Sequence, residues 1–355
     1  MDASKKYFTA RLTMWHATEN QRSLPWKNEK DPYKIWLSEI ILQQTRAQQG
    51  LPYYLSFIAA FPTIKDMAAT GDEQAFRLWQ GLGYYNRCKN MLATARYISN
   101  ELQGHFPSSY EGLLQLKGIG PYTAAAIASF AFGLPQAVVD GNVYRVLARY
   151  FGIDAPFDTT AGKKIFSALA QQLLDTKQSA AYNQAIMDLG ATVCTPRNPP
   201  CDECPLQKKC IAYHRELIEV LPVRSKKQAV RKRYFNYILL KHNGSLWIHK
   251  RTGNDIWQNL HEPYLIETNA PIDEKDLQHE ALFKNLNIHN SNVINSGQNT
   301  QRLTHQVIIS TFFSIELRKK ITINGLDGMW LNTNDLKKTA FPQTLVSFLE
   351  NNLYF

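Results

Sequence analysis

Leu116-Lys117-Gly118-Ile119-Gly120-Pro121-Tyr122-Thr123-Ala124 leads into a run of small residues, 124–132, which closes on Val138-Val139-Asp140-Gly141-Asn142-Val143-Tyr144-Arg145. Two glycines one residue apart let a backbone turn tightly and approach another surface, and Pro121 suits the first position of the helix that follows. A turn that ends on a helix N-terminus presents unpaired N–H groups to an anion. Alone, the motif reads as a glycine turn between two packed helices. It is not alone, because Asp140 is a lone carboxylate in the otherwise apolar and neutral run 137–143.

Outward from the hairpin, apolar residues recur at helical spacing from residue 8 to about residue 217. The spacing predicts helices over 33–45, 73–80, 88–102, 122–132, 143–151, 161–174 and 181–191. From residue 222 to 233 the chain carries Arg224, Lys226, Lys227, Arg231, Lys232 and Arg233 and no acid, which reads as a solvated linker or a strip along a phosphate backbone. Beyond it, 234–240 and 246–251 read as strands around the hairpin turn Asn243-Gly244. A helix over 273–286, strands over 306–317 and 328–331, and a closing helix over 342–351 complete an α+β module. The expected division is a helical domain over 1–220 with the hairpin at about 110–145, a basic linker over 221–233, and a second domain over 234–355.

The 355 residues suffice for two cores, and a formal net charge of +10 points to a polyanionic partner, nucleic acid first and an acidic membrane surface second. No apolar run reaches the roughly 18 residues of a membrane span, and the N-terminus lacks a signal-peptide core. A cytoplasmic protein is the expectation. Four of the five cysteines, Cys194, Cys201, Cys204 and Cys210, fall in one short stretch as C-x6-C-x2-C-x5-C, unlike a disulfide framework spread along a secreted chain. Four thiolates close around one centre, and both zinc and a [4Fe–4S] cluster accept four of them. Arg197, Lys208 and Lys209 in the same loop give it a phosphate-facing charge. Cys88 has no evident role, and His16 and His105 read as surface or packing residues.

The glycine hairpin, the Asp that follows it and the four-Cys loop occur in an order that resembles the helix-hairpin-helix DNA glycosylases of the endonuclease III superfamily. Trp36-Leu37-Ser38-Glu39-Ile40-Ile41-Leu42-Gln43-Gln44-Thr45 looks like the Glu-containing motif of MutY-type adenine DNA glycosylases, and Tyr122 stands where bifunctional glycosylase/lyases carry a nucleophilic Lys. The resemblance implies an all-α helix-hairpin-helix glycosylase domain with an iron–sulfur cluster loop, a [4Fe–4S] cluster on the four cysteines, and a C-terminal α+β Nudix-like domain that senses 8-oxoguanine. It implies a nucleoid-associated monomer acting on duplex DNA that holds adenine opposite 8-oxoguanine or guanine. No Nudix hydrolase signature is present in the second half. Leu303-Thr304-His305 departs from the family's Phe-Ser-His loop while keeping a hydroxyl and an imidazole, and 256–263 departs from a glycine-rich version.

Cleaving an N-glycosidic bond needs an acid for the leaving base and a carboxylate for the sugar cation. Glu39, among Ile35, Trp36, Ile40, Ile41 and Leu42, is the candidate acid, since desolvation raises a carboxyl's pKa and keeps it protonated for N7 of adenine. Asp140 is the candidate anion at C1′, stabilising the cation by a transient covalent bond as the family implies. From the residues alone, Glu39 reads first as an exposed acid on an amphipathic helix, and Asp140 equally as a helix cap. The resemblance assigns Asn142 to orienting Asp140 or a water, and Tyr122 to the sugar face. It assigns phosphate binding to Gly118 and Gly120. Gln43, Gln44, Thr45, Leu82 and Tyr84 stand at DNA-contacting positions, Gln44 and Tyr84 as wedges into the base stack, and Trp26 and Gln184 in the adenine pocket. The alternatives are an endonuclease III-like bifunctional lyase acting on oxidised pyrimidines, and a non-catalytic iron–sulfur DNA-binding protein.

Overall fold

Helix follows helix through the first part of the computed structural model, which describes residues 3–225, 230–286, 293–303 and 305–352. In order these are α1 Ala3–Thr18, α2 Pro32–Leu42, α3 Ala47–Ala60, α4 Ile64–Ala69, α5 Asp72–Trp79, α6 Asn86–Glu101, α7 Tyr110–Leu114, α8 Pro121–Phe130, α9 Gly141–Phe151, α10 Thr160–Leu173, α11 Ser179–Thr192 and α12 Ile211–His214. Side-chain oxygens of Asp31, Ser109, Asp140 and Thr159 accept backbone N–H groups at the starts of α2, α7, α9 and α10, satisfying donors the helices leave open. Helix α2 stops at Leu42, short of the expected residue 45, because Gln43 leaves the helical region at ψ 114° and Gln44 follows with a left-handed φ of 57°. Helices α1, α3, α4, α7 and α12 lie outside the sequence expectation. Phe8, Leu12 and Trp15 of α1 pack with Val146, Leu147, Phe166 and Leu189 in the core shared by α9, α10 and α11.

The hairpin joins α7 to α8. Gly118 has φ 79°, and a Cβ there would sit 2.8 Å from the Cβ of Asn90, so both conformation and space demand glycine. Gly120 is extended at φ −94° and caps α8, with Pro121 next. Thr94 Oγ1 donates to the Lys117 carbonyl at 2.7 Å and pins the turn. The small residues Ala124–Ser129 are all buried, which lets α8 pack closely.

The second half forms a mixed sheet of β1 Arg231–His242, β2 Ser245–Lys250, β3 His261–Glu262, β4 Tyr264–Thr268, β5 Val293–Arg302, β6 Gln306–Glu316 and β7 Gly328–Asn332. The path runs β3-β2-β1-β6-β5, with β4 paired to β1 and β7 to β2. Strands β1 and β6 pair in parallel from Arg231↔Gln306 to Lys241↔Glu316. Asn243 and Gly244 turn at φ 45° and 72°, the conformation their hairpin role requires. Trp257 and Asn259 hold left-handed φ values of 61° and 71°. The expected helix over 273–286 is broken instead into a 3-10 turn, Asp276–His279, and α13 Ala281–Leu286, because Glu280 between them is extended. Short α14 Thr333–Leu336 precedes α15 Gln343–Asn351, whose Phe348 stacks on Phe312 at 3.7 Å.

The chain divides into two compact units, Met1–Ala69 with Asn90–Lys226, and Thr70–Lys89 with Lys227–Phe355. Residues 70–89 therefore group with the sheet rather than with the 1–220 domain to which their helical spacing points. Within that second unit Tyr85 donates to the Phe341 carbonyl at 3.3 Å and Lys89 to Gln258 at 2.9 Å. The basic run also departs from a plain linker. Arg231, Lys232 and Arg233 belong to β1, where Arg233 bonds Asp255 and Glu267 at 2.6–2.9 Å, while 226–229 lies outside the described residues. Among the described residues, no helix is long and apolar enough to cross a membrane.

Candidate active site

Glu39 sits three residues from the end of α2, a helix so apolar that Tyr33 and Ile35 through Ile41 are all buried. The expected alternative, an exposed acid on an amphipathic face, is ruled out, since Glu39 is 6% exposed. Desolvation pushes its carboxyl up to about 7, against a hydrogen bond from Tyr122 and with help from the negative charge of Asp140. Tyr122 enters from the first turn of α8, which the hairpin aims at α2. Burial and the two carboxylates hold its phenol well above its ordinary value. Gln43 Nε2 donates to Thr123 Oγ1 at 3.3 Å and ties the end of α2 to α8.

Asp140 is the N-cap of α9, accepting from Val143 N at 2.8 Å, and its other oxygen accepts from Asn142 Nδ2 at 2.7 Å. The cap reading and the functional reading therefore coexist. Burial raises the Asp140 pKa, opposed by those two bonds and by the Arg145 charge. Behind Asn142, its Oδ1 accepts from Arg145 Nη2 at 2.9 Å, and Arg145 Nε donates to the Cys194 carbonyl at 2.6 Å. This links the carboxylate to the four-Cys loop. Gly190 of α11 makes room for it, because a Cβ there would come within 2.6 Å of the Asn142 Cβ.

Glu39, Asp140, Tyr122 and Asn142 all line one cavity of about 1130 Å³. Trp26, Gln43, Gln44, Thr45, Gly120 and Gln184 line it as well. Gly118 sits outside the lining in the hairpin turn. Leu82 is buried and Tyr84 is 45% exposed, both in the second unit, where Arg87 lies over the rings of Trp79 and Tyr84 and bonds the carbonyls of Leu82 and Gly83. His305 is exposed at the β5–β6 turn, and Thr304 lies outside the described residues. Cys88 is a fully buried core thiol whose pKa burial drives up.

Several residues at the site have no counterpart in the sequence reading. Asp188 of α11 is fully buried and accepts from Asn20, Arg22, Lys27 and Gln184. His16, expected to be a surface or packing residue, lines the cavity and bonds Asn20 at 2.8 Å. Arg149, one turn beyond Arg145, is buried and donates to the carbonyls of Leu221, Thr195, Pro196 and Ile218 and to Cys194 Sγ at 3.5 Å. The signal for Arg145 and Arg149 was two arginines four apart in an apolar helix, whose burial requires acceptors.

The four cysteines frame two 3-10 turns, Cys201–Glu203 and Gln207–Lys209, and are half-buried. Burial pushes the Cys201, Cys204 and Cys210 thiols up, and the neighbouring sulfurs add to it. Among the described residues no three His, Cys, Asp or Glu side chains close on a single ion. Four thiolates in one short loop are a donor set that zinc and a [4Fe–4S] cluster both accept.

These features define a class. Residues 37–173 match the HhH-GPD superfamily of base excision DNA repair proteins and residues 236–351 match a NUDIX domain. The structure of a thermostable thymine-DNA glycosylase superposes with a TM-score of 0.55 at 30% identity, over 60% of this chain and 97% of that one. An endonuclease III–DNA complex superposes with a TM-score of 0.53 at 18% identity, over 61% and 99%, a likeness of fold. The chain belongs to the adenine DNA glycosylase family of base excision repair. It is 31% identical to the adenine DNA glycosylase of Buchnera aphidicola subsp. Schizaphis graminum over 97% of this chain and 98% of that protein. It is 43% identical to the mouse enzyme over 59% and 42%.

Proposed function

We propose that the protein is a monofunctional glycosylase that hydrolyses the N-glycosidic bond of adenine mispaired with 8-oxoguanine or guanine in duplex DNA. The observation that carries this reading is the opening of Glu39 and Asp140 into one cavity, with Tyr122 bonded to Glu39 and the Glu39 pKa raised to about 7. The adenine nucleotide leaves the duplex and enters the cavity. Glu39, as the acid, donates its proton to N7, and the C1′–N9 bond breaks with its electron pair passing to the base. Asp140, ionised and held by Val143 N and Asn142, faces the positive charge that develops at C1′. Water then bonds to C1′ and gives a proton to the Glu39 carboxylate, which restores the acid. Tyr122 in place of a lysine leaves no Schiff-base nucleophile at the hairpin position, and this favours the monofunctional reading over an endonuclease III-like lyase. The resemblance supplies the remaining DNA roles: the hairpin with Gly118 and Gly120 on phosphate, Gln44, Leu82 and Tyr84 around the lesion base, and Thr304 and His305 on 8-oxoguanine.

The test compares duplexes carrying adenine opposite 8-oxoguanine, guanine or thymine. The expected result is adenine release from the first two, an abasic strand left uncut, and no covalent capture by borohydride. Release confined to oxidised pyrimidines would overturn the reading.

Cys194, Cys201, Cys204 and Cys210 would hold a [4Fe–4S] cluster, which ties the 194–210 loop by four Fe–S bonds and supplies an electron-exchanging centre. The purified protein is expected to be yellow-brown with iron and sulfide in equal amounts. Cys204→Ser is expected to lose most of the colour and to lower the melting temperature by several degrees. Colourless protein containing zinc would remove the assignment.

A further inference from the structure

Asp188 belongs to no step of the mechanism, yet it is the most completely bonded carboxylate at the cavity. Its side chain is fully buried. Oδ1 accepts from Arg22 Nη1 at 2.8 Å and Gln184 Nε2 at 3.0 Å, and Oδ2 accepts from Asn20 Nδ2 at 2.7 Å and Lys27 Nζ at 2.7 Å. A carboxylate offers about four acceptor directions and no donor, so all of them are spent. Burial pushes the carboxyl up, and the bonds from Lys27, Asn20 and Arg22 outweigh it, leaving the group ionised.

Two of the four donors, Arg22 and Gln184, line the cavity, and Gln184 is the one that also carries an acceptor. Gln184 lies one turn before Asp188 on α11 and lines the cavity. An amide is ambivalent, with a donor and an acceptor of nearly the same shape, and an environment without polarity lets it flip to suit either kind of ligand. Beside an acceptor-only carboxylate only the NH₂ end can face inward. The carbonyl end is then the one left for the cavity. Adenine carries an exocyclic amine, a donor, whereas hypoxanthine carries a carbonyl at the same carbon, an acceptor. A fixed amide carbonyl therefore matches the first and opposes the second.

We propose that Asp188 is a positioning residue for base selection: by holding the NH₂ of Gln184, it fixes the amide carbonyl toward the cavity as an acceptor for the exocyclic amine of the flipped base. This rests on the reading of the cavity as the adenine site. The other three partners serve the same end. Arg22 and Lys27 flank Trp26, another lining residue, so the carboxylate also holds the segment that closes one wall of the pocket.

The experiment measures single-turnover release of adenine and of hypoxanthine from otherwise identical duplexes opposite 8-oxoguanine. Asp188→Asn keeps the shape but can offer its own NH₂ to Gln184, which frees the amide to flip. The adenine-over-hypoxanthine ratio is expected to fall about tenfold or more, in line with the mismatch of one pocket hydrogen bond. Adding Gln184→Glu to Asp188→Asn puts an acceptor-only group at the cavity and returns one negative charge to Arg22 and Lys27, so the ratio is expected to recover. A purely structural Asp188 would give no such rescue. An Asp188→Asn protein with the wild-type ratio, or a double variant that fails to recover it, overturns the proposal. Should Asp188→Asn lose its helical circular dichroism, Gln184→Met carries the test with Asp188 intact. A tenfold fall in the ratio supports the proposal and an unchanged ratio overturns it. Wild-type protein that frees no adenine overturns the function reading with it, whereas normal adenine release with an unmoved ratio overturns Asp188 alone.

Discussion

Glu39→Gln is expected to cut adenine release by about 10³-fold while leaving affinity for the mispaired duplex within about threefold, because it removes the only transferable proton from a group worth 10²–10⁴ in a general-acid step. Gln keeps the shape and can still accept from Tyr122. It also has no charge to desolvate, so the fold tolerates it. The sign of the stability effect follows from the raised pKa. A carboxyl at about 7 in the fold and near 4.5 unfolded favours the folded state while protonated, a contribution that is full below about pH 4.5 and is lost progressively as pH rises to about 7. The Gln variant lacks this loss, so its melting temperature relative to wild type is expected to rise between about pH 4.5 and 7 and to level off above that. The wild-type rate should decline as pH rises through about 7 and the acid ionises. Single-turnover glycosylase assays across pH, with fluorescence anisotropy for binding, check both halves. Turnover in the variant within tenfold of wild type would end the acid assignment.

How far the sequence alone reaches depends on whether a residue's meaning is carried by its neighbours in the chain. Glu39 stands among Ile35, Trp36, Ile40 and Ile41, and a charge in such company is conspicuous; the structure buries it as that company requires. Asp140 is conspicuous for the same reason, and its position before an apolar helical period also makes it a cap, which it is. The four cysteines are close in sequence and stay close in space. Asp188 has no such local mark. Its polar partners Asn20, Arg22 and Lys27 lie more than 160 residues away, so a single carboxylate on α11 reads as any solvated acid until the chain has folded. The same holds for residues 70–89, whose helical spacing was legible but whose packing with the sheet was not, since apolar periodicity shows which face is buried and never against what. The helix misjudged over 273–286 failed at Glu280, where an extended backbone interrupts residues whose spacing alone looks continuous.

Asp140→Asn separates the two roles that this residue combines. As an N-cap, Asn is as good as Asp, and its amide oxygen can accept from Val143 N as the carboxylate does, so the change is expected to cost no more than about 1 kcal/mol of stability. As the anion facing C1′, Asn is a poor replacement, because it brings a dipole where a full negative charge opposes the developing cation. The expected loss in adenine release is about 10³-fold, the scale seen when one preorganised electrostatic group is removed from a transition state. The pH profile adds a second reading. Burial lifts the Asp140 pKa, and the ionised form is the working one, so the wild-type rate is expected to fall on the acid side as well as above pH 7. In the Asn variant the acid limb should disappear from what activity remains, because the group that titrates there is gone. Calorimetry on both proteins fixes the stability term and single-turnover kinetics the catalytic one. If the variant keeps its rate within tenfold, Asp140 is a helix cap and nothing more, and the charge at C1′ must be met by another group in the cavity. If stability holds and the rate collapses with its acid limb, the residue that starts α9 is also the one that makes the sugar cation tolerable.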